Sequence, residues 1–314
     1  MASPTCSLWF FVARTDLPFM MLTIPHIVKM CNFPFQEKVL AIDTAALSGE
    51  KVDRPGIGTM EDLRQCAQTL LHKGVVDRIV DFNYDSRYQE RLYLKHFGSA
   101  IKPTHNYKGY PILGSIFKIE ECQSDYLLHF DSDMMMYQEP GYKWIAEGID
   151  LMEANPRIMF VRPMTGPPTS DGKFFESDTG KLNPQGFYEF KYFGSRLYLL
   201  KCNRFDELLP LPIIWYNEYR QQFVKNWPEG MKTALNIWTG KGKLDSWEIM
   251  VSEKLKQTDY LRINLTNPRA WSLHPKERSP AFIAALPSII ARIERGDFPA
   301  KQAGFYDLIF DLWV

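Results

Sequence analysis

The first half of this 314-residue chain alternates short apolar runs with amphipathic stretches, and that alternation constrains the fold more than any other feature. Strands are predicted at SLWFFVA (7–13), KVLAID (38–43), VVDRIVDF (75–82) and DYLLHF (125–130). A helix is expected after Arg14-Thr15-Asp16, with Pro18 near its start; Pro25 predicts a kink or an early end. TMEDLRQCAQTLLHKG (59–74) is the clearest helix. Thr59 caps it with Asp62 three residues on, Met60, Leu63, Ala67, Leu70 and Leu71 form one stripe, and Gly74 ends it. YPILGSIFKIEECQS (110–124) turns helical in its second part and leads into DYLLHF. Strands separated by helices predict the α/β class, with a mainly parallel sheet flanked by helices.

The length suits one large domain or two closely packed lobes. MTGPPTSDGKFFESDTGKLNPQG (164–186), rich in Pro, Gly, Ser, Thr and Asp, is expected to be an excursion that divides a first half, 1–163, from a second, 164–314, within one continuous domain. Lys plus Arg equals Asp plus Glu at 37 each, which argues against a nucleic-acid partner. Five scattered cysteines without CxxC spacing are expected to be free thiols in a reducing cytoplasm. The N-terminus lacks a signal-peptide pattern and no apolar run approaches the roughly 18 residues of a transmembrane segment. The aromatic stretch FYDLIFDLWV (305–314) is expected to dock on the body, with peripheral membrane contact or a partner as the alternatives.

DYLLHF runs into Asp131-Ser132-Asp133 and three methionines. On an extended backbone a D-x-D pair points to one side, and two hard oxygen donors suit Mg²⁺ or Mn²⁺. Placement at the carboxyl end of a strand, after three β-α units, is where open α/β sheets bind ligands. The structural alternative is a solvated loop after a buried strand. The methionines are expected to pack beneath the site.

SDYLLHFDSDMMMYQEPGYKWIAEGIDLMEANP, followed by IMFVRP, resembles the central part of GT-A-fold (Rossmann-like) glycosyltransferases of the family-2 type, including their D-x-D motif. LDSWEIMVSEKLKQTDYLRINLTNPRAWSLHP (244–275) is similar to that family's acidic motif, helix, next strand and terminal histidine. The resemblance implies a metal-dependent transfer of a sugar, a hexose by expectation, from a UDP or GDP donor to an acceptor hydroxyl on a glycan, a lipid-linked or a small molecule. It implies that Asp133 coordinates Mn²⁺ or Mg²⁺ and that Asp131 holds the ribose or a metal-bound water. His274 would add a metal or phosphate contact, and Thr15 and Asp43 would sit beside the nucleoside. Arg14 and Lys108 stand in for basic residues that the family carries near the Asn of the preceding helix, an Asn absent from GSIFKIEECQS.

Inverting members use a carboxylate of an acidic pair as general base. Here Trp247-Glu248-Ile249 keeps one acid, so Glu248 is the candidate base, with Asp245 nearby. The missing acid leaves a retaining mechanism open, and a non-catalytic sugar-nucleotide-binding protein is the further alternative. Asp245-x-x-Glu248 also matches a helix capping box, and Trp247, Met250, Val251 and Leu255 repeat on one helical face. TGKGKLDS (239–246) reads as a lid or a solvent-exposed turn, with Lys241 or Lys243 facing the leaving diphosphate. Trp215, Tyr216, Tyr219 or Trp238 are candidates to pack on acceptor sugar faces, which puts acceptor binding in the C-terminal part. A phosphatase of the haloacid-dehalogenase type also starts from D-x-D, but wants it near the N-terminus with Thr or Val soon after; Met134 follows here.

Overall fold

The computed structural model describes residues 4–174, 179–216 and 227–314. Four strands, β1 (Cys6–Val12), β2 (Glu37–Ile42), β3 (Arg78–Asp81) and β4 (Tyr126–Asp131), pair in parallel in the order β3-β2-β1-β4. The helices α1 (Met20–Cys31), α2 (Met60–His72), α3 (Ser86–Phe97) and α4 (Ile112–Glu121) lie between them in sequence. The chain builds outward from β1 through β2 to β3 and then returns to β1's other side as β4. The switch in direction between β1 and β4 is where such a sheet opens a crevice at its carboxyl edge.

Beyond β4 the sheet becomes mixed. It continues through β10 (Leu197–Lys201), β6 (Ile158–Arg162), β11 (Leu261–Leu265), β9 (Phe187–Phe190) and β8 (Lys181–Asn183), making nine strands among the described residues. β10 is antiparallel to both β4 and β6, β11 is parallel to β6, and β9 and β8 close the edge antiparallel. The parallel character predicted by the β-α alternation therefore holds for β1 to β4, and beyond them parallel and antiparallel pairs mix, with β11 parallel to β6 and the rest antiparallel. Strands from before residue 163 and after 164 share this one sheet.

Strand periodicity explains its two dry faces. Leu8, Phe10 and Val12 of β1 point into a core with Met20, Ile24 and Ile27 of α1, Leu63, Ala67 and Leu70 of α2, and Trp144 of α5 (Trp144–Ala154). Trp9 points the other way, into a core with Tyr93 of α3, Ile116 and Phe117 of α4, and Trp247, Met250, Val251 and Leu255 of α8 (Trp247–Lys256). Burial on both faces is why β1 and β4 read as unbroken apolar runs.

Two local expectations have distinct outcomes. Thr59 does cap α2, accepting from the Asp62 N–H while Asp62 accepts from Thr59, and Gly74 follows at φ +69°. α1, however, continues six residues past Pro25. A proline removes one helical hydrogen bond; here burial of Ile24, His26, Ile27 and Met30 outweighs it.

A second sheet stands beside the first. β12 (Ala270–Pro275) pairs with β5 (Met135–Gln138), with the short β7 (Met164–Thr165) and with β13 (Asp307–Leu308). α9 (Pro280–Glu294) covers it through Phe282, Leu286, Ile289 and Ile293. The C-terminal aromatic stretch docks on the body as expected: Trp313 is 5% exposed and joins this core. No helix among the described residues is long and apolar enough to cross a membrane.

Candidate active site

A cleft of about 460 Å³ opens at the carboxyl edge of β1 and β4, with a smaller recess of about 80 Å³ leading off it. Asp131 and Asp133 line both. β4 ends at Asp131 and the backbone turns at once, closed by Met134 N–H donating to Asp131 O at 3.2 Å. The alternation that would place both side chains on one side of a strand therefore stops at Asp131. Instead the turn is pinned from outside: Ser132 Oγ donates to Asp16 Oδ1 at 3.0 Å and the Thr23 hydroxyl donates to Ser132 O. Met134, Met135 and Met136 are fully buried behind it.

The two carboxylates have different surroundings. Asp131 Oδ1 is 3.1 Å from His129 Nε2. Burial at the cleft floor pulls the Asp131 pKa up, but His129, Arg196 and Lys118 outweigh it and hold the group below the ordinary carboxylate range. Beneath it His129 is pushed down to about 4, by burial and then by Lys118. Burial also drives the Lys118 amine well below its usual value, Asp131 only partly restoring it, with Nζ lying 4.1 Å from the Phe11 ring centroid. Asp133 has another partner: Arg278 donates to its Oδ2, while the buried Asp133 Oδ1 has no partner among the described residues.

Across the cleft stands Glu248. The capping-box expectation is overturned: Ser246 is the N-cap of α8, accepting from Ile249 N–H at 3.2 Å, while Asp245 Oδ1 accepts from the adjacent Ser246 N–H and from no other donor among the described residues. Glu248 is therefore at N2, one residue short of the N3 position that a capping box requires, and its side chain turns to other partners. Glu248 Oε2 accepts from Ser195 N–H at 2.8 Å and Ser195 Oγ at 2.9 Å, and Oε1 accepts from the Tyr192 hydroxyl.

Of the other expected site residues, Asp245, Lys108 and His274 line the cleft and Thr15 and Asp43 line the recess. Thr15 Oγ1 is buried and has no partner among the described residues. The Asp43 carboxylate is already held by Tyr84 at 2.6 Å and His105 at 3.1 Å, and Lys108 pairs with Glu50 at 3.1 Å. Arg14 is not among the lining residues of either cavity. Leu244, inside the expected lid, is fully buried and bridges to Asn106 and Trp215. Trp215 is buried with Nε1 on Thr233, Tyr216 stacks on Tyr107 at 3.7 Å, and Trp238 is 84% exposed away from the cleft lining. Tyr219 lies outside the described residues.

Sequence reasoning missed Arg278, Arg196, Arg54, Lys276 and Lys118, the further cations of the cleft wall. A lone Arg or Lys carries no spacing signal; only Lys118 sits inside a stretch already singled out, 110–124, and Arg278 falls three residues past the end of the 244–275 phrase.

The donor atoms fit a divalent cation that brings ligands with it. Among the described residues no group of three or more His, Cys, Asp or Glu is assembled to hold an ion alone. Asp133 Oδ1 is nevertheless an unsatisfied buried acceptor beside Asp131, and Mg²⁺ or Mn²⁺ commonly takes one or two carboxylates and completes its shell with phosphate oxygens and water.

No family model matches the chain, and no curated protein matches it. Among solved structures it is similar to GalNAc-T7 with UDP, GalNAc and Mn²⁺ (TM-score 0.47, 14% identity, 86% of this chain and 44% of that one). It is similar to S. aureus TarS 1-349 with UDP-GlcNAc (0.46, 10%, 92% and 66%). A third is the mannosyltransferase PcManGT from Pyrobaculum calidifontis with GDP-Man and Mn²⁺ (0.38, 14%, 68% and 48%). The chain thus spans less than two thirds of each of these, and at such identities and TM-scores the likeness assigns it neither a family nor an activity.

Proposed function

We propose that this chain is a GT-A-type glycosyltransferase, which moves a sugar from a nucleotide diphosphate, UDP or GDP, to an acceptor hydroxyl with the help of Mn²⁺ or Mg²⁺. The observation that carries the proposal is the cleft itself: a D-x-D turn at the carboxyl end of β4 faces a carboxylate on α8 across one cavity walled by cations. Asp133, Asp131 and His274 would hold the cation, which when bound neutralises the diphosphate leaving group. Arg278, Arg196 and Lys276 bring further positive charge to the same wall. Thr15 and Asp43 shape the recess for the nucleoside, and the second half, 164–314, supplies the acceptor side, for a glycan, lipid-linked or small-molecule acceptor.

Glu248 is the proposed base of an inverting reaction. Its Oε2 is fixed by a backbone N–H that cannot rotate away, whereas Oε1 meets only the rotatable Tyr192 hydroxyl. Oε1 is therefore the atom that takes the acceptor's proton. A retaining reaction is the second reading, favoured by the same three donors, which make Glu248 an anchor for the Tyr192–Ser195 segment. Five free cysteines suit a reducing compartment, so the cytoplasm is the proposed location.

The test is a thermal-shift screen of UDP-, GDP- and dTDP-sugars with and without Mn²⁺. A metal-dependent rise in Tm with one donor, lost in Asp133→Ala, is expected. No metal-dependent stabilisation by any donor would sink the proposal. The anomer of the product, read by NMR, separates inversion from retention.

A further inference from the structure

The C-terminal segment reaches back to the cleft through one carboxylate. Asp307 of β13 pairs with His274 of β12 in register, and its Oδ1 lies 3.1 Å from His274 Nδ1 while Oδ2 lies 2.6 Å from Lys276 Nζ. His274 is held in two more ways: its backbone N–H donates to Tyr306 O at 2.9 Å, and the Tyr306 ring stacks on the imidazole with centroids 6.0 Å apart. The segment is itself locked by Gln302, which is fully buried. Gln302 Nε2 donates to Phe305 O and Asp307 O, and its Oε1 accepts from Ile309 N–H and Trp313 Nε1. Every hydrogen bond that a primary amide can direct at a strand is spent here on holding Asp307 and its neighbours.

We infer that Asp307 is a positioning residue for His274: it holds the proton on Nδ1 and leaves Nε2 as the bare nitrogen for a cation or phosphate-bound metal in the cleft. A carboxylate beside a metal-binding imidazole fixes both tautomer and ring orientation, since the ring can donate to it only from the protonated nitrogen. Asp307 touches no reacting atom and acts through His274. The inference rests on the proposed role of His274 at a metal–nucleotide site, and it brings β13, the last strand among the described residues, which starts 32 positions after β12 ends, into that site.

Two readouts test it. In ¹⁵N-histidine NMR of the full chain, His274 of the wild type is expected to be the Nδ1–H tautomer, and Asp307→Asn to shift it towards Nε2–H. A wild-type Nε2–H tautomer overturns the inference, whatever the protein binds. In Mn²⁺ titrations at fixed UDP, Asp307→Asn is expected to weaken Mn²⁺ binding about 10- to 100-fold. The same substitution in a His274→Ala background should add nothing, because the carboxylate then has no ring to position. Equal losses with and without the imidazole would mean a purely structural role and overturn the inference. If Asp307→Asn does not fold, Asp307→Glu takes its place in the same cycle, with a smaller loss expected and the same non-additivity required. Wild type that shows the Nδ1–H tautomer but no Mn²⁺-dependent UDP binding would remove the proposed function and leave the tautomer assignment standing.

Discussion

Arg278 donates to Asp133 Oδ2 across 145 residues of sequence, so the second aspartate of the D-x-D turn is half of an ion pair whose other carboxylate oxygen has no partner. Arg278 enters from the loop between β12 and α9, directly after the strand that carries His274. A cation at Asp133 must therefore either share this carboxylate with the guanidinium or displace it.

Arg278→Ala is expected to destabilise the protein, because it leaves a nearly buried carboxylate unpaired; removing one partner of a buried charge pair costs on the order of 3 kcal/mol. Mn²⁺ alone should recover part of that loss in the variant and do little for the wild type. Thermal melts with and without Mn²⁺ check both parts, and a variant as stable as wild type would mean that the pair carries no weight.

Glu248→Gln should lower turnover about 100- to 10,000-fold, the usual range for a general base, with donor affinity little changed. The amide oxygen still accepts from Ser195 N–H, so the fold around α8 is preserved. Nucleotide release and donor titration separate the two effects; undiminished turnover assigns Glu248 to anchoring alone.

Ser246→Ala is expected to cost about 1 kcal/mol in urea unfolding through loss of the α8 N-cap. Asp245→Ala should cost less, since its side chain accepts only from the next residue. The opposite ranking would restore the Asp245–Glu248 capping box in place of the Ser246 cap.

Acid stability should carry the mark of Glu294. His26, buried on α1, lies 3.1 Å from its Oε1; that bond and Lys29 outweigh burial and draw the carboxyl down to about 2. A carboxyl depressed in the folded state stabilises above its unfolded pKa and loses that contribution as the pH falls through the folded value. Wild type should therefore exceed Glu294→Gln in stability above about pH 4.3, with the gap closing towards pH 2. A gap that does not change over this window would contradict the assignment.

Local rules made much of this protein legible in its sequence. Thr59 and Asp62 cap α2 within one turn, β1 and β4 announce themselves as doubly buried apolar runs, and the strand end at Asp131 follows from the same run. Each depends on residues within a few positions of one another, where backbone geometry and burial period leave few choices. The cleft's chemistry depends on which elements meet. Glu248 is oriented by Ser195 at a separation of 53 residues, Asp133 is paired from 145 residues away, and His274 is held by a C-terminal carboxylate.

Even the D-x-D spacing, read as one strand face, changed meaning when a turn closed between Asp131 and Met134 and gave the two carboxylates different partners, His129 and Arg278. By itself the sequence determined the alternating elements and the position of the aspartates at the sheet's carboxyl edge, because hydrophobic period and capping act locally. Only the tertiary structure decided which cations and hydrogen bonds meet those aspartates and Glu248, because such pairs exist only once sheet order has brought distant strands side by side.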